Sequence, residues 1–321
     1  MSRRIKRARL EGIDEAEASA ELVGRALRKR PERRSDSAPS AVGGPARKRR
    51  VQKKRRDSSS SRSSGSLDSP IPRNIMNAWD YDDEGDCGPK HWPGQIDGKQ
   101  QSPIDLKLSK MKVVSLDDHF IFENYDKVLV GEFVNNGHSV QFIPDDGQDI
   151  PTVSGGMLDQ KYRFVQYHYH WGQHEGGSEH TIGGLRYPAE LHLVHQGIDD
   201  PTKLAVLGVF LKTGDQEAAL KAEVDILPNI IECGQKCRLD KGVTLQDKLP
   251  ECPSSFARYD GSLTTPPCSE NVVWTVFTDP VEVSAYQLDL LRNVKDTRGA
   301  VIRKNYRPVQ SWNDRKVFLA C

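Results

Sequence analysis

The fold is predicted from two stretches of the chain, His168-Tyr169-His170-Trp171 and, further along, Glu190-Leu191-His192. Around both, β-branched and aromatic residues alternate with polar ones at a period of two, which predicts two strands. Residues i and i+2 of a strand point to the same face, so His168 and His170 share one side. If the two strands are neighbours, three imidazoles converge without a fourth protein ligand. Three protein ligands and an open position are typical of catalytic zinc, whereas structural zinc sites usually have four.

The residues two positions before these histidines support a metal site. Gln166 precedes His168 and Glu190 precedes His192, each on the same strand face as its histidine. A ligand histidine usually donates its second ring nitrogen to a carboxylate, amide or carbonyl. A single His-x-His would be equally compatible with ordinary core or surface histidines. The two patterns together favour Gln166 and Glu190 as residues that orient metal ligands.

Charge divides the 321-residue chain into two unequal parts. Residues 1–70 hold 20 Lys+Arg and 9 Asp+Glu, which leaves 26 and 36 of the totals of 46 and 45 for residues 71–321. A basic arm with net charge +11 therefore precedes an acidic body with net charge −10. Such opposite charges attract weakly, and salt screens the attraction.

Residues 1–72 are predicted to be a disordered, Ser/Arg-rich basic arm, followed by one folded domain over 73–321. From Pro31 to Pro72 the chain contains almost no large apolar residues, so it cannot bury enough surface to offset the entropy of ordering. Basic clusters at 28–34 and 47–56 indicate binding to a nuclear-import receptor or to polyanions. The alternative is a solvated tail without a partner.

The sequence features that bear on compartment point to the nucleus and cytoplasm. No apolar segment follows Met1 as a secretory signal would require, and the longest apolar run, 204–211, is too short to span a membrane. The six cysteines are Cys87, Cys233, Cys237, Cys252, Cys268 and Cys321. They are too few for a disulfide scaffold, although Cys252 could bridge to Cys233 or Cys237.

The body is predicted to be mainly β, in an α+β arrangement. Short apolar alternations recur at 111–116, 118–124, 127–134, 138–143, 161–171, 188–195, 204–212 and 272–278, separated by Pro, Gly and Asp. Helical patterns are confined to about 215–226 and 283–293.

Ten motifs recur in the order in which one enzyme family carries them. They are Trp79-x-Tyr81, Gly88-Pro89-x-x-Trp92, Gln101-Ser102-Pro103-Ile104-Asp105, Asn135-Asn136-Gly137-His138, Gln166-x-His168-x-His170-Trp171-Gly172, Gly177-Ser178-Glu179-His180-Thr181, Ala189-Glu190-Leu191-His192-Leu193-Val194-His195, Leu204-Ala205-Val206-Leu207-Gly208, Gly261-Ser262-Leu263-Thr264-Thr265-Pro266-Pro267 and Asn305-x-Arg307-Pro308-x-Gln310. On these residues the body, from about 77 to 316, resembles an alpha-class carbonic anhydrase. The resemblance covers none of residues 1–70.

The resemblance implies one domain on a large, mostly antiparallel central sheet with short peripheral helices and a zinc ion on the sheet face. It implies that zinc-bound hydroxide hydrates carbon dioxide reversibly to bicarbonate and a proton, and that sulfonamides and anions inhibit. Zinc lowers the pKa of its bound water to about 7, a value familiar from this enzyme family. The implied ligands are His168, His170 and His192, with Asn305 offering a backbone carbonyl to the third imidazole. The alternative is a non-catalytic binding protein of the same family.

The resemblance also implies roles around the metal. Thr264 and Glu270 match the pair that aims the hydroxide at the substrate carbon. Val194, Val206, Leu263 and Trp274 match the family's apolar carbon dioxide pocket, and Thr264 and Thr265 match substrate-binding positions on its wall. His138 matches the proton shuttle, since an imidazole with a pKa near 6.5 suits transfer at neutral pH. The polar residues Tyr81, Asn136 and Gln141 match positions that order water in the cleft.

One departure from the family pattern concerns cysteine. Secreted members often bond a cysteine after the two prolines to one just before the Gln-Ser-Pro stretch, and Cys268 occupies the first position. The nearest candidate for the second is Cys87. A Cys87–Cys268 bridge would indicate an oxidising compartment and favour secretion as the alternative to the nucleus and cytoplasm.

Overall fold

A twelve-stranded mixed sheet dominates the computed structural model, which describes residues 79–116 and 118–320. The strands are β1 Asp105–Leu106, β2 Lys112–Val114, β3 Ile121–Glu123, β4 Leu129–Asn135, β5 Val140–Pro144, β6 Thr152–Ser154, β7 Tyr162–Trp171, β8 Thr181–Ile182, β9 Ala189–Gly197, β10 Leu204–Thr213, β11 Lys236–Val243, β12 Phe256–Gly261, β13 Val272–Val283 and β14 Phe318–Ala320. The arm predicted over 1–72 lies outside the described residues.

The order in the large sheet is β11-β4-β5-β7-β9-β10-β13-β12-β14-β2, with β3 and β6 paired beside β7. Its pairs β10–β13 and β14–β2 are parallel, and the other pairs are antiparallel. A separate two-stranded sheet joins β1 to β8 in parallel. The prediction of a mainly β domain on a mostly antiparallel sheet is therefore confirmed.

The helices are short and lie between strands. They are α1 Lys221–Val224, α2 Ala285–Arg292 and 3-10 turns at Leu108–Lys110, Ala218–Leu220, Leu227–Asn229 and Gln246–Lys248. The start of α2 is fixed by a capping box in which the Ser284 hydroxyl accepts from the Gln287 backbone and the Gln287 side chain accepts from the Ser284 backbone. The helix predicted over 215–226 is instead reduced to the 3-10 turn Ala218–Leu220 followed by α1. Among the described residues, no helix has the length and apolar character needed to cross a bilayer.

The two faces of β7 have opposite chemistry. Tyr167 and Tyr169 point into the main hydrophobic core, whereas His168 and His170 alternate with them and point to the other face. Behind the strand, the hydroxyls of both tyrosines donate to the buried Glu223 carboxylate at 2.7 and 2.6 Å, and Lys248 Nζ donates to it at 2.7 Å. A buried charge is tolerated only when it is paired and hydrogen-bonded in this way. This network anchors the back of the strand that carries two of the three imidazoles.

The cysteines within the described part of the chain are free thiols. Cys268 is buried, Cys87, Cys233 and Cys237 are partly buried, and Cys252 is exposed. Neither the Cys87–Cys268 bridge nor one between Cys252 and Cys233 or Cys237 is present in this structure.

Candidate metal centre

The register between β7 and β9 brings three imidazoles together. His168 lies directly opposite His192, and His170 lies opposite Glu190. The ring centroids of His168, His170 and His192 are 4.5 to 5.3 Å apart. One ring nitrogen from each lies within 4.8 Å of the other two, so the three side chains could hold a metal ion.

The second nitrogen of each ring is occupied by an oxygen acceptor. His168 Nδ1 donates to Gln166 Oε1 at 3.0 Å, and His192 Nε2 donates to Glu190 Oε1 at 2.8 Å. His170 Nδ1 donates to the backbone oxygen of Asn305 at 2.7 Å. An amide, carboxylate or carbonyl oxygen can only accept, so each of these nitrogens carries a proton. The nitrogens whose lone pairs could bind a metal are therefore Nε2 of His168, Nε2 of His170 and Nδ1 of His192.

These lone pairs fit a zinc ion. His170 Nε2 is buried and has no hydrogen-bond partner among the described residues, an arrangement that is costly unless a ligand satisfies it. Burial, followed by the neighbouring rings of His170 and His192, lowers the pKa of His168 well below its usual value. Burial also lowers the pKa of His170. Neutral imidazole is the form that binds metal, and three such ligands match the donor set of a catalytic zinc site.

Glu190 is the buried carboxylate that connects His192 to a further histidine. Its Oε1 accepts from His180 Nδ1 at 2.7 Å, and its Oε2 accepts from the His180 backbone at 2.8 Å. Burial raises the pKa of Glu190, but the contacts with His180 and His192 outweigh burial and hold that pKa well below the usual carboxyl range. A side chain at Gly208, which lies opposite His192, would put Cβ only 3.0 Å from Glu190 Oε1. His180, Glu190 and His192 are thus joined by hydrogen bonds, which explains their close grouping without a second ion.

A second buried carboxylate beside the imidazoles belongs to Glu179, a residue to which the sequence alone did not point as part of the site. Glu179 is fully buried, its Oε1 accepts from the Arg307 backbone at 2.7 Å, and its Oε2 has no hydrogen-bond partner among the described residues. Oε2 lies 3.6 Å from His170 Nε2 and 4.0 Å from His192 Nδ1. The signal in the sequence was the motif Gly177-Ser178-Glu179-His180-Thr181, which contains the only acidic residue between β7 and Glu190 apart from Glu175.

Glu270, predicted to pair with Thr264, is engaged elsewhere. Its Oε1 accepts from the Gln100 backbone at 2.6 Å and from Gln101 Nε2 at 3.0 Å. The residue lines a surface cleft with Lys203 and Asp260, and none of the three imidazoles lines that cleft. These contacts occupy Oε1 of Glu270, so its pairing with Thr264 stays a prediction, and Glu179, which lies beside the imidazoles, is a second candidate acceptor for Thr264.

The predicted substrate-binding residues form a row across adjacent strands. Val194 on β9 lies opposite Val206 on β10, which in turn lies opposite Trp274 on β13. All three are buried in one hydrophobic cluster, and Leu263 packs against it. The ring centroids of Trp274 and His192 are 4.8 Å apart, so this apolar cluster borders the candidate metal centre. Thr264 is buried and Thr265 is partly buried in the segment that follows Leu263.

Of the predicted cleft residues, Gln141 lies on β5, Asn136 and His138 lie in the turn before it, and Tyr81 lies in the segment before β1. Gln141 lies opposite His168 in the β5–β7 register, and it is buried. Asn136 Oδ1 accepts from the His138 backbone at 2.9 Å and therefore holds the turn that carries this histidine. The His138 ring stacks on Trp79, with centroids 3.7 Å apart and planes 5° from parallel. Tyr81 packs edge-on against the same Trp79 at 5.4 Å.

Comparison with known proteins agrees with this geometry. The profile of the eukaryotic-type carbonic anhydrase family matches residues 87–321. The chain is 52% identical over 240 residues to the protein named putative carbonic anhydrase 3 of Caenorhabditis elegans, covering 74% of this chain and 96% of that one. It is 38% identical over 256 residues to putative carbonic anhydrase 5 of the same organism, covering 75% and 81%. It is 35% identical over 263 residues to carbonic anhydrase 7 of Homo sapiens, covering 75% and 96%.

Proposed function

The chain belongs to the eukaryotic-type carbonic anhydrase family, and we propose that it catalyses the reversible hydration of carbon dioxide to bicarbonate and a proton. The observation that carries this proposal is the convergence of three imidazoles whose second nitrogens are all held by oxygen acceptors. His168, His170 and His192 would hold zinc. When bound, zinc supplies a Lewis acid that makes a water molecule acidic enough to yield a nucleophile at neutral pH, with a pKa near 7 in carbonic anhydrases as a family.

Thr264 and Glu179 orient the attacking oxygen. Glu179 Oε2 is unpartnered among the described residues and can accept the proton of the Thr264 hydroxyl. A hydroxyl whose proton is donated in this way can only accept from the nucleophile, so a lone pair of the attacking oxygen is directed towards carbon dioxide. Val194, Val206 and Trp274, with Leu263 beside them, exclude water from the side where the apolar substrate binds.

His138 accepts the proton that hydration releases and transfers it to buffer. An imidazole can both accept and release a proton near neutral pH, and the transfer runs through water ordered by Tyr81, Asn136 and Gln141. Carbon dioxide and bicarbonate are therefore the proposed substrate and product. Sulfonamides and small anions are the proposed inhibitors, because zinc held by only three protein ligands would be able to bind a charged donor as well.

Stopped-flow hydration of carbon dioxide by the full zinc-loaded chain tests the proposal. We expect turnover that a sulfonamide abolishes, and we expect His168→Ala to lose both zinc and activity. His119→Ala is the matched control, because His119 is exposed and outside the metal centre. A fully zinc-loaded chain with neither hydration activity nor sulfonamide binding would identify a non-catalytic binding protein instead.

A further inference from the structure

Asn305 is a fully buried residue whose polar groups all bond to the elements that carry the site. Its backbone N donates to Trp171 O at 3.2 Å, and its backbone oxygen accepts from His170 Nδ1 at 2.7 Å. The side-chain Oδ1 accepts from Trp171 N at 2.6 Å. The side-chain Nδ2 donates to His138 O at 3.0 Å and to Tyr169 O at 3.0 Å. One residue therefore contacts both the strand of the metal ligands and the turn of the predicted shuttle.

The side-chain contacts have a geometric consequence that the backbone contact lacks. The amide group is planar, so its two N–H bonds point in fixed directions. The carbonyl oxygens of His138 and Tyr169 must therefore each lie along one of these two directions. The bond to Trp171 N fixes the plane of the amide from its other end. The Ser139 hydroxyl also donates to Tyr169 O, at 2.6 Å, so the residue after His138 is attached to the same carbonyl.

We propose that Asn305 is a positioning residue that holds His138 in register with His170 and so aligns proton export with the metal centre. The inference rests on the proposed hydration activity. It assigns the side chain of Asn305 a task separate from that of its backbone carbonyl, which orients the His170 ring. Proton transfer through ordered water requires donor and acceptor at a defined separation, so a loosened turn slows this step most.

A purely structural role for Asn305 makes a different prediction. Loss of buried hydrogen bonds without a positioning effect lowers the stability of the fold. If such a loss also lowers activity, it lowers kcat and kcat/KM by the same factor. A positioning effect on His138 instead lowers kcat in dilute buffer, where proton export limits turnover. It leaves kcat/KM for carbon dioxide largely intact, because that constant covers only the steps up to bicarbonate release.

Asn305→Ala separates these outcomes, because it keeps the backbone carbonyl that His170 needs. We expect kcat in dilute buffer to fall about 10-fold, at the lower end of the effect of residues that support metal ligands. We expect kcat/KM to change less than about threefold, which is below the range for loss of a residue that supports a metal ligand. Zinc content should stay at that of the wild type, and concentrated imidazole buffer should restore kcat. Gln287→Ala is the matched control, since it removes a buried amide that bonds Ser284 and Glu217 at the start of α2. It should lower stability without changing buffer dependence.

Histidine ring NMR provides a readout independent of activity, with the His138 signals assigned by their loss in His138→Ala. We expect these signals to shift in Asn305→Ala and to stay in place in Gln287→Ala. If the alanine variant does not fold, Asn305→Asp fills the same volume, keeps the acceptor for Trp171 N and loses the donated bonds.

The inference is overturned if the His138 signals and kcat in dilute buffer both match the wild type. It is also overturned if kcat and kcat/KM fall equally in all buffers. An inactive wild-type protein would disprove the proposed hydration activity alone. In that case, shifted His138 signals in the zinc-loaded variant would still support the positioning role, and unshifted signals would overturn it.

Discussion

Glu179 Oε2 lies 3.6 Å from His170 Nε2, and both side chains are almost completely buried. The other oxygen of Glu179 is held by the backbone of Arg307, so the carboxylate cannot rotate freely. A fixed, buried oxygen without a partner among the described residues is available to accept a proton at the point where three imidazoles converge. The role proposed for Glu179 follows from this relationship.

Substitution of two glutamates should identify the one that orients the attacking oxygen. We expect Glu179→Gln to lower kcat/KM about 100-fold, because an amide in place of the carboxylate presents a donor to Thr264 and disturbs a preorganised contact. Glu270→Gln should retain wild-type kcat/KM, since its carboxylate bonds Gln100 and Gln101. Stopped-flow hydration at equal zinc content measures both. The reverse order of effects would restore Glu270 as the partner of Thr264.

His138→Ala should impair proton export alone. In dilute buffer we expect kcat to fall at least about 10-fold, since a positioned acid or base typically contributes more than this, while added imidazole partly restores turnover. His168→Ala should lose zinc, and imidazole should not rescue it. Turnover in dilute buffer equal to that of the wild type would show that another group carries the proton.

His195 should make the domain sensitive to acid. Burial lowers the pKa of His195 to about 4, while Tyr125 OH donates to Nε2 at 2.6 Å and Nδ1 donates to Leu193 O at 3.0 Å. The folded-state pKa lies below the unfolded value of about 6.5, so the unfolded chain takes up a proton first as pH falls. The stabilisation is therefore complete above pH 6.5 and is lost progressively down to about pH 4, a loss of about 3 kcal/mol.

Urea unfolding of metal-free wild type and His195→Gln between pH 7 and pH 4 measures this effect. We expect the wild type to lose more unfolding free energy than His195→Gln as pH falls, because only the wild type has an imidazole to protonate at this position. The difference in unfolding free energy between the two proteins should therefore shrink. His168 and His170 are present in both proteins, so their titration largely cancels in the comparison. A pH-independent difference would show that His195 keeps an ordinary pKa in the fold.

The basic arm is proposed to direct the protein to the nucleus, with secretion as the alternative. Deletion of residues 28–56 from a fluorescent fusion should abolish nuclear accumulation. If the arm binds nucleic acid, the affinity should be independent of base sequence and should fall steeply with salt, since its contacts would be mainly to phosphates. An unchanged nuclear signal after the deletion would contradict the import role.

Mass spectrometry of protein that is denatured and alkylated without reduction distinguishes the two routes, because denaturation exposes the buried thiol of Cys268. We expect Cys87 and Cys268 to be alkylated as free thiols, as they are in the structure. A stoichiometric disulfide between them would instead indicate passage through an oxidising compartment and exclude the nuclear assignment. Cys252 is exposed and provides the control for complete alkylation.

Period-two patterns predicted most strands of the large sheet, whereas β11 at its edge and β12 between β13 and β14 were not predicted. The patterns at 161–171, 188–195 and 204–212 correspond closely to β7, β9 and β10, which are buried and hydrogen-bonded on both sides. By contrast, β11 at Lys236–Val243 lies at the sheet edge with most of its side chains exposed or partly exposed. An edge strand buries too little surface to impose alternation on its sequence, so backbone pairing with β4 defines it instead.

The sequence by itself determined which side chains share a face, because the side-chain period of a strand is a local property of the backbone. That was sufficient to group Gln166, His168 and His170, and to place Glu190 with His192. Only the tertiary structure decided that His168 lies opposite His192, that Asn305 bonds both β7 and the turn of His138, and that Glu179 approaches the imidazoles. These are contacts between residues distant in the chain, and they depend on strand register and loop packing, which no local pattern encodes.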